Sequence, residues 1–140
     1  MRPGAVPFPY PTIPVRTGEL AWALADVDGP SDWPARLHRH LDRLCADLND
    51  HRRLTEGERG SYAEVVNAAP RLAHGIHRLI RDHEHLAEAL GALRVHLDAG
   101  APITDLRRCA ADLLALFESH RQRGISLLYE AYATDIGGET

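Results

Sequence analysis

Apolar residues recur along this chain at intervals of three and four, the spacing of a helix with one buried face. Leu37, Leu41, Leu44 and Leu48 carry that spacing through a helix of about 33–55, with Ser31 or Asp32 as cap and Pro34 in its first turn. "TEGERG" (55–60) breaks it, and "SYAEVVNAA" (61–69) reads as a short helical piece. Pro70 then suits the first position of a helix of about 70–98, whose stripe is Leu72, Ile76, Leu79, Leu86, Leu90, Leu93 and Leu97. "DAGAP" (98–102) turns the chain into a last helix of about 102–133, with Leu106, Leu113, Phe117 and Leu128 inward and the glycines of "IGGE" (136–139) as its stop. Upstream, Thr17 caps a short helix of about 17–27 bearing Leu20, Leu24 and Val27, which "DGPSDWP" ends. Pro3, Pro7, Pro9, Pro11 and Pro14 make residues 1–16 an extended, polyproline-like arm. No strand-like alternation competes, so the pattern predicts an all-α, antiparallel up-down helical bundle over 17–135, with a tail at 136–140.

Composition changes this picture little. The chain has 140 residues, enough for one domain with a real core, and its charged fraction of 26% is ordinary for a globular protein. A net charge of −4 argues against nucleic acid as a partner. No apolar run approaches the roughly 20 residues that span a bilayer, and the N-terminus lacks the apolar stretch of a signal peptide, so a cytoplasmic location is expected. Cys45 and Cys109 fall within helical patterns and read as small, partly buried thiols. No serine or cysteine nucleophile motif, phosphate-cradling glycine loop or nucleotide signature is present, so a hydrolase or transferase has no support.

The candidate chemistry lies in nine histidines, four of them within "RLAHGIHRLIRDHEHL" (71–86). Turning each helix at about 100° per residue sorts them. His74, His77, His85 and His96 fall on the polar side of their helix, whereas His83 falls about 20° from Leu72, inside the apolar stripe. His51 lies beside Leu44 on the first long helix, and His120 lies within the stripe of the last. His38 and His40 flank theirs. An inward arc covers about a third of a helix, so three inward histidines of nine is what scatter would produce. Depth is the more telling measure: His83 and His120 sit within about one turn of the same distance from the connecting loop. They can therefore face each other across an antiparallel pair. Imidazole is the commonest metal ligand, and with nearby carboxylates such as Glu56 it suits iron, manganese or zinc better than a thiolate-preferring ion. Tyr129 and Tyr132, one to two turns past Gly124, are candidates for a hydrogen-bond donor or redox neighbour. Gly124 itself leaves room one turn from His120.

"LNDHRRLTE" (48–56), "LIRDHEHL" (79–86) and "LLALFESHRQRG" (113–124) together resemble the histidine blocks of the hemerythrin-like family, the HHE cation-binding helical bundles, over about residues 33–133. The resemblance implies a metal centre with His51, Glu56, His83 and His120 as ligands, Glu56 binding or bridging. It also implies a mono- or dinuclear non-haem iron cofactor, with manganese or zinc as alternatives. The expected partner is O2, NO or a peroxide, and any enzyme activity would be that of a non-haem iron oxidoreductase. Two features depart from the family pattern. The chain has Gly124 and Ile125 where a carboxylate should follow His120, and the short helix 17–27 carries no histidine. Glu64, Glu118 and Glu130 are the unmatched carboxylates that could complete a site. The contrasting expectation is a metal-free interaction or regulatory module that kept the fold and lost the site.

Overall fold

The structure is a computed structural model that describes residues 33–138, with side chains as far as Ala131. The expected proline-rich arm, the first short helix and the last two residues lie outside the described residues. Among the described residues four α-helices follow in order: α1 (Trp33–Glu56), α2 (Ser61–Ala68), α3 (Ala73–Asp98) and α4 (Ile103–Gly138). A single 3-10 turn, Pro70–Leu72, leads into α3, so the segment predicted as one helix from Pro70 begins with a tighter turn. No strand occurs among the described residues, and none of their helices is long and apolar enough to cross a membrane. The chain is thus an all-α bundle.

The leucine stripes bury as their spacing requires. α1 buries Leu37, Leu41, Leu44, Leu48, His51 and Thr55, and α3 buries Ile76, Leu79, His83, Leu86, Leu90, Leu93 and Leu97. α4 contributes Leu106, Ala110, Leu113, Phe117 and His120. Each inward histidine therefore occupies a slot that the three-and-four rhythm would otherwise give to a leucine. Polar contacts fix the relative directions of the helices. Along α1, His38 pairs with Asp98, Asp42 with Arg94 and Glu56 with His83, so α1 and α3 run in opposite directions. His120 and Arg123 both reach Asp82, and Arg71 reaches the Glu130 carbonyl, so α4 runs back along α3.

The α3–α4 turn is a Schellman closure. Gly100 takes φ +73°, its N–H donates to the Leu97 carbonyl (3.1 Å), and the Ala101 N–H donates to that of His96 (3.0 Å). Gly100 can adopt this left-handed backbone without a Cβ penalty. α4 differs from expectation at its far end, continuing through Ile136 to Gly138. Glycine weakens a helix by about 1 kcal/mol but does not forbid it, and so is a poor stop on its own.

Among the described residues the core forms two apolar clusters. One joins α1, α3 and α4 from Leu37 to Leu48, Leu86 to Leu97 and Leu106 to Phe117. The other joins Tyr62 and Val65 of α2 to Leu72, Ile76, Leu79 and Ala131. On α3 the boundary between them falls between Leu79 and Leu86, at His83.

Candidate metal centre

His51, His83 and His120 come from three different helices and meet in that boundary layer, respectively 3%, 0% and 5% exposed. Their Nε2 atoms converge. His120 Nε2 stands 3.2 Å from His83 Nε2 and 3.3 Å from His51 Nε2, and one ligand nitrogen of each residue lies within 4.8 Å of the others. The rings are edge-on to one another, with centroids 4.7 Å apart for His51–His83 and His83–His120.

The outer nitrogens set what the inner ones can do. His83 Nδ1 donates to Glu56 Oε2 at 2.6 Å, and His120 Nδ1 donates to Asp82 Oδ2 at 2.9 Å. Each carboxylate is held in turn by an arginine. Arg52 Nε donates to Glu56 Oε2 (2.8 Å), while Arg123 grips Asp82 in a fork, Nε to Oδ2 (2.9 Å) and Nη2 to Oδ1 (2.6 Å). Burial would raise both carboxyl groups. Hydrogen bonds outweigh it, from Arg52 and His83 at Glu56 and from Arg123 and His120 at Asp82, and both are held below their ordinary values. Two parallel arginine–carboxylate–histidine relays result. Because an ionised carboxylate accepts only, both histidines carry their proton on Nδ1 and present a bare lone pair at Nε2.

His51 lacks such a relay. Its Nδ1 is buried with no hydrogen-bond partner among the described residues. Its Nε2–H donates to His120 Nε2, while the Tyr62 hydroxyl, 3.3 Å from His83 Nε2, donates there. Burial holds His51 at about 3 and His83 at about 4, with charge repulsion between the imidazoles adding at both, and it lowers His120 as well. The layer is therefore neutral at physiological pH and rich in electron pairs.

This donor set fits a metal ion. Imidazole nitrogens bonded to one divalent ion at about 2.1 Å stand roughly 3.0–3.4 Å apart, close to the spacings between His120 and its two neighbours. Oriented Nδ1–H donors on carboxylates are the support that ligating histidines need. The unpartnered Nδ1 of His51 marks a residue whose tautomer is not locked.

Residues 17–132 match the hemerythrin HHE cation-binding domain family. The chain belongs to that family. No curated protein and no solved structure matches it. Among the described residues, this hemerythrin-family chain offers a three-histidine centre. Glu56 stands on the outer, Nδ1 side of His83 and not among the converging Nε2 atoms. Glu64, Glu118 and Glu130 are exposed, and Glu118 is held by Arg121 and Gln122. His74, His77, His85 and His96 are exposed, as their helical phase predicts. A Cβ at Gly124 would meet nothing within 4 Å. Tyr129 is 75% exposed and so plays no part in the buried layer, and the side chain of Tyr132 is outside the described set.

Two residues escaped the sequence reading. Asp82, immediately before His83, sits on the flank of the stripe, and its place beside the inward histidine was the available signal. Tyr62 is the second residue of an eight-residue helix, too short for periodicity to show which way it faces.

Proposed function

We propose that this chain binds one non-haem metal ion, iron by preference, through the Nε2 atoms of His51, His83 and His120, and that the centre handles O2, NO or a peroxide. The observation that carries the reading is the convergence of two Nε2 lone pairs, each fixed by a carboxylate on its far nitrogen, 3.2 Å apart in a buried layer. Hydrogen bonding between the two is ruled out by their shared tautomer, so a cation is their natural common partner. A neutral three-nitrogen shell leaves room for a further ligand, as in metal centres that do chemistry, whereas purely structural centres close their shell. Bound iron would supply Lewis acidity and one-electron chemistry; the chain would supply orientation through Glu56 and Asp82 and exclude bulk water with the two leucine-rich clusters. Glu56 acts here from outside the shell, aligning His83.

One observation favours the contrasting reading, a metal-free module. The protons of Tyr62 and His51 can satisfy His83 and His120 without any ion. Metal analysis of untagged protein separates the two. The metal reading expects about one iron per chain, lost in a His83→Ala/His120→Ala double variant. Protein that purifies without metal and refuses added Fe(II) would sink it.

A further inference from the structure

The charges around the histidine layer cancel in pairs. On α1, Arg52 lies four residues before Glu56 and holds it at 2.8 Å. On α4, Arg123 lies three residues after His120 and grips Asp82 through both oxygens. Glu56 is the carboxylate behind His83, and Asp82 the one behind His120. Each negative charge that supports a ligating ring is thus matched by a positive one on its outer side. The three imidazoles are neutral, and among the described residues the one buried carboxylate is Asp82. Glu84, which also acts on Arg52, is exposed and screened by solvent. The layer and its two supports therefore sum to zero charge.

That sum decides what a bound ion needs. Two carboxylates alone would offset a divalent cation. With Arg52 and Arg123 in place they do not, and the full charge of the ion stands between leucine-rich clusters, where an uncompensated charge is costly. Both arginines act on the layer itself: after burial, their charge is among the influences that keep protons off His83 and His120. A positive charge that opposes a proton at the ring favours an anion there. We propose that Arg52 and Arg123 set the ligand class of the centre: by cancelling Glu56 and Asp82 they leave the bound ion uncompensated, so that it takes a small monoanion in preference to a neutral diatomic. The inference rests on the metal reading above. It narrows the ligands named there to the anionic form of a peroxide and to ions of similar size, such as azide or nitrite.

Azide serves as the charged probe and NO as the neutral one. Full-length wild type, Arg52→Gln, Arg123→Gln and Arg123→Lys are loaded with iron at pH 8, and metal content is measured first. Azide is then titrated on the Fe(III) forms by visible absorption, and NO on the Fe(II) forms. The arginine side chains are 32% and 31% exposed and stand on different helices, so trimming either one leaves the leucine core intact. Each glutamine variant unmasks one carboxylate and should weaken azide about fivefold, the upper range for a charge pair that solvent partly screens. NO affinity should stay near that of wild type. Arg123→Lys loses the fork but keeps the charge, and should return azide close to wild type. Azide affinity unchanged in both glutamine variants, or lowered as much by Arg123→Lys as by Arg123→Gln, overturns the proposal. So does an equal loss for NO and azide, which is what a misaligned ligand ring would give. A glutamine variant that folds without holding iron also overturns it, because the arginine would then serve the shell itself and not its charge. A wild-type chain that takes no iron fails at the first measurement and removes the metal reading, and the role of the arginines with it.

Discussion

His51, His83 and His120 share a layer but are not equivalent. His83 and His120 are each aligned by a carboxylate and, behind it, an arginine, whereas His51 Nδ1 has no partner among the described residues. Disturbing a relay should therefore weaken metal binding without touching a ligand. Asp82→Asn keeps the size of the side chain but loses the charge that holds His120 Nδ1–H and the Arg123 fork. Its metal affinity should fall 10- to 100-fold, the usual effect of losing such an outer partner. Competition with a chromophoric chelator measures this, and unchanged affinity would show that the relay does not orient the ligand. Legibility at this scale followed periodicity. The three histidines could be read from the sequence because each replaces a leucine in a long stripe. Glu56 was placed near the site but its engaged nitrogen partner was not, since a carboxylate at a helix end can reach either side of a ring. Tyr62 and Asp82 depend on how neighbouring elements dock, which no single stripe encodes.

At the scale of elements, the α1–α2 connection governs the centre, because it joins the helix carrying His51 and Glu56 to the one carrying Tyr62. The turn is tight. The Gly60 N–H donates to the Gly57 carbonyl at 2.8 Å, and Thr55 at the end of α1 is fully buried, its hydroxyl donating to the His51 carbonyl at 2.7 Å. A Cβ at Gly60 would lie 2.4 Å from the Thr55 carbonyl oxygen, a backbone atom that cannot swing aside. Gly60→Ala should therefore cost about 1–3 kcal/mol, as overpacking in a closed site does. It should also shift Tyr62 and Glu56 enough to lower metal retention. At Gly75 the atom that a Cβ would meet is Cδ1 of Leu127, the end of a flexible side chain. Gly75→Ala should be milder, the gain in helix propensity offsetting the repacking. Thermal melts of the two variants should rank them in that order, and a Gly60→Ala chain as stable as wild type would refute the steric argument. The helices themselves were largely legible, since α1 and α3 match their leucine patterns nearly to the residue. The 3-10 entry to α3 and the extension of α4 to Gly138 were not, because both are set by local backbone geometry that apolar spacing does not report.

For the whole molecule, a layer of neutral histidines inside a leucine bundle makes stability depend on pH. Burial holds His51 at about 3 and His83 at about 4, far below the ordinary 6.5 of an exposed histidine, and lowers His120 too. Above that ordinary value the imidazoles are neutral folded or unfolded, and they add no slope. As pH falls below it the unfolded chain takes up protons that the folded one refuses, so folding stability drops. Each histidine adds up to about 1.4 kcal/mol per pH unit until its folded value is reached. Glu56 and Asp82, also lowered in the fold, extend the loss in the same direction at more acid pH, below their ordinary 4.5 and 3.8. Urea unfolding of chelator-treated protein should therefore show stability that is level near pH 7–8 and falls steeply between about pH 6 and 4. His51→Leu, which continues the α1 stripe, should lessen that slope while abolishing tight metal binding. Saturating metal should move the fall to lower pH in wild type alone, because an ion bound at Nε2 competes with the protons that unfold the chain. Stability that stays level from pH 7 to 5 in the chelated wild type would mean that water reaches the histidine layer, and with it that the apolar clusters on either side do not seal the centre.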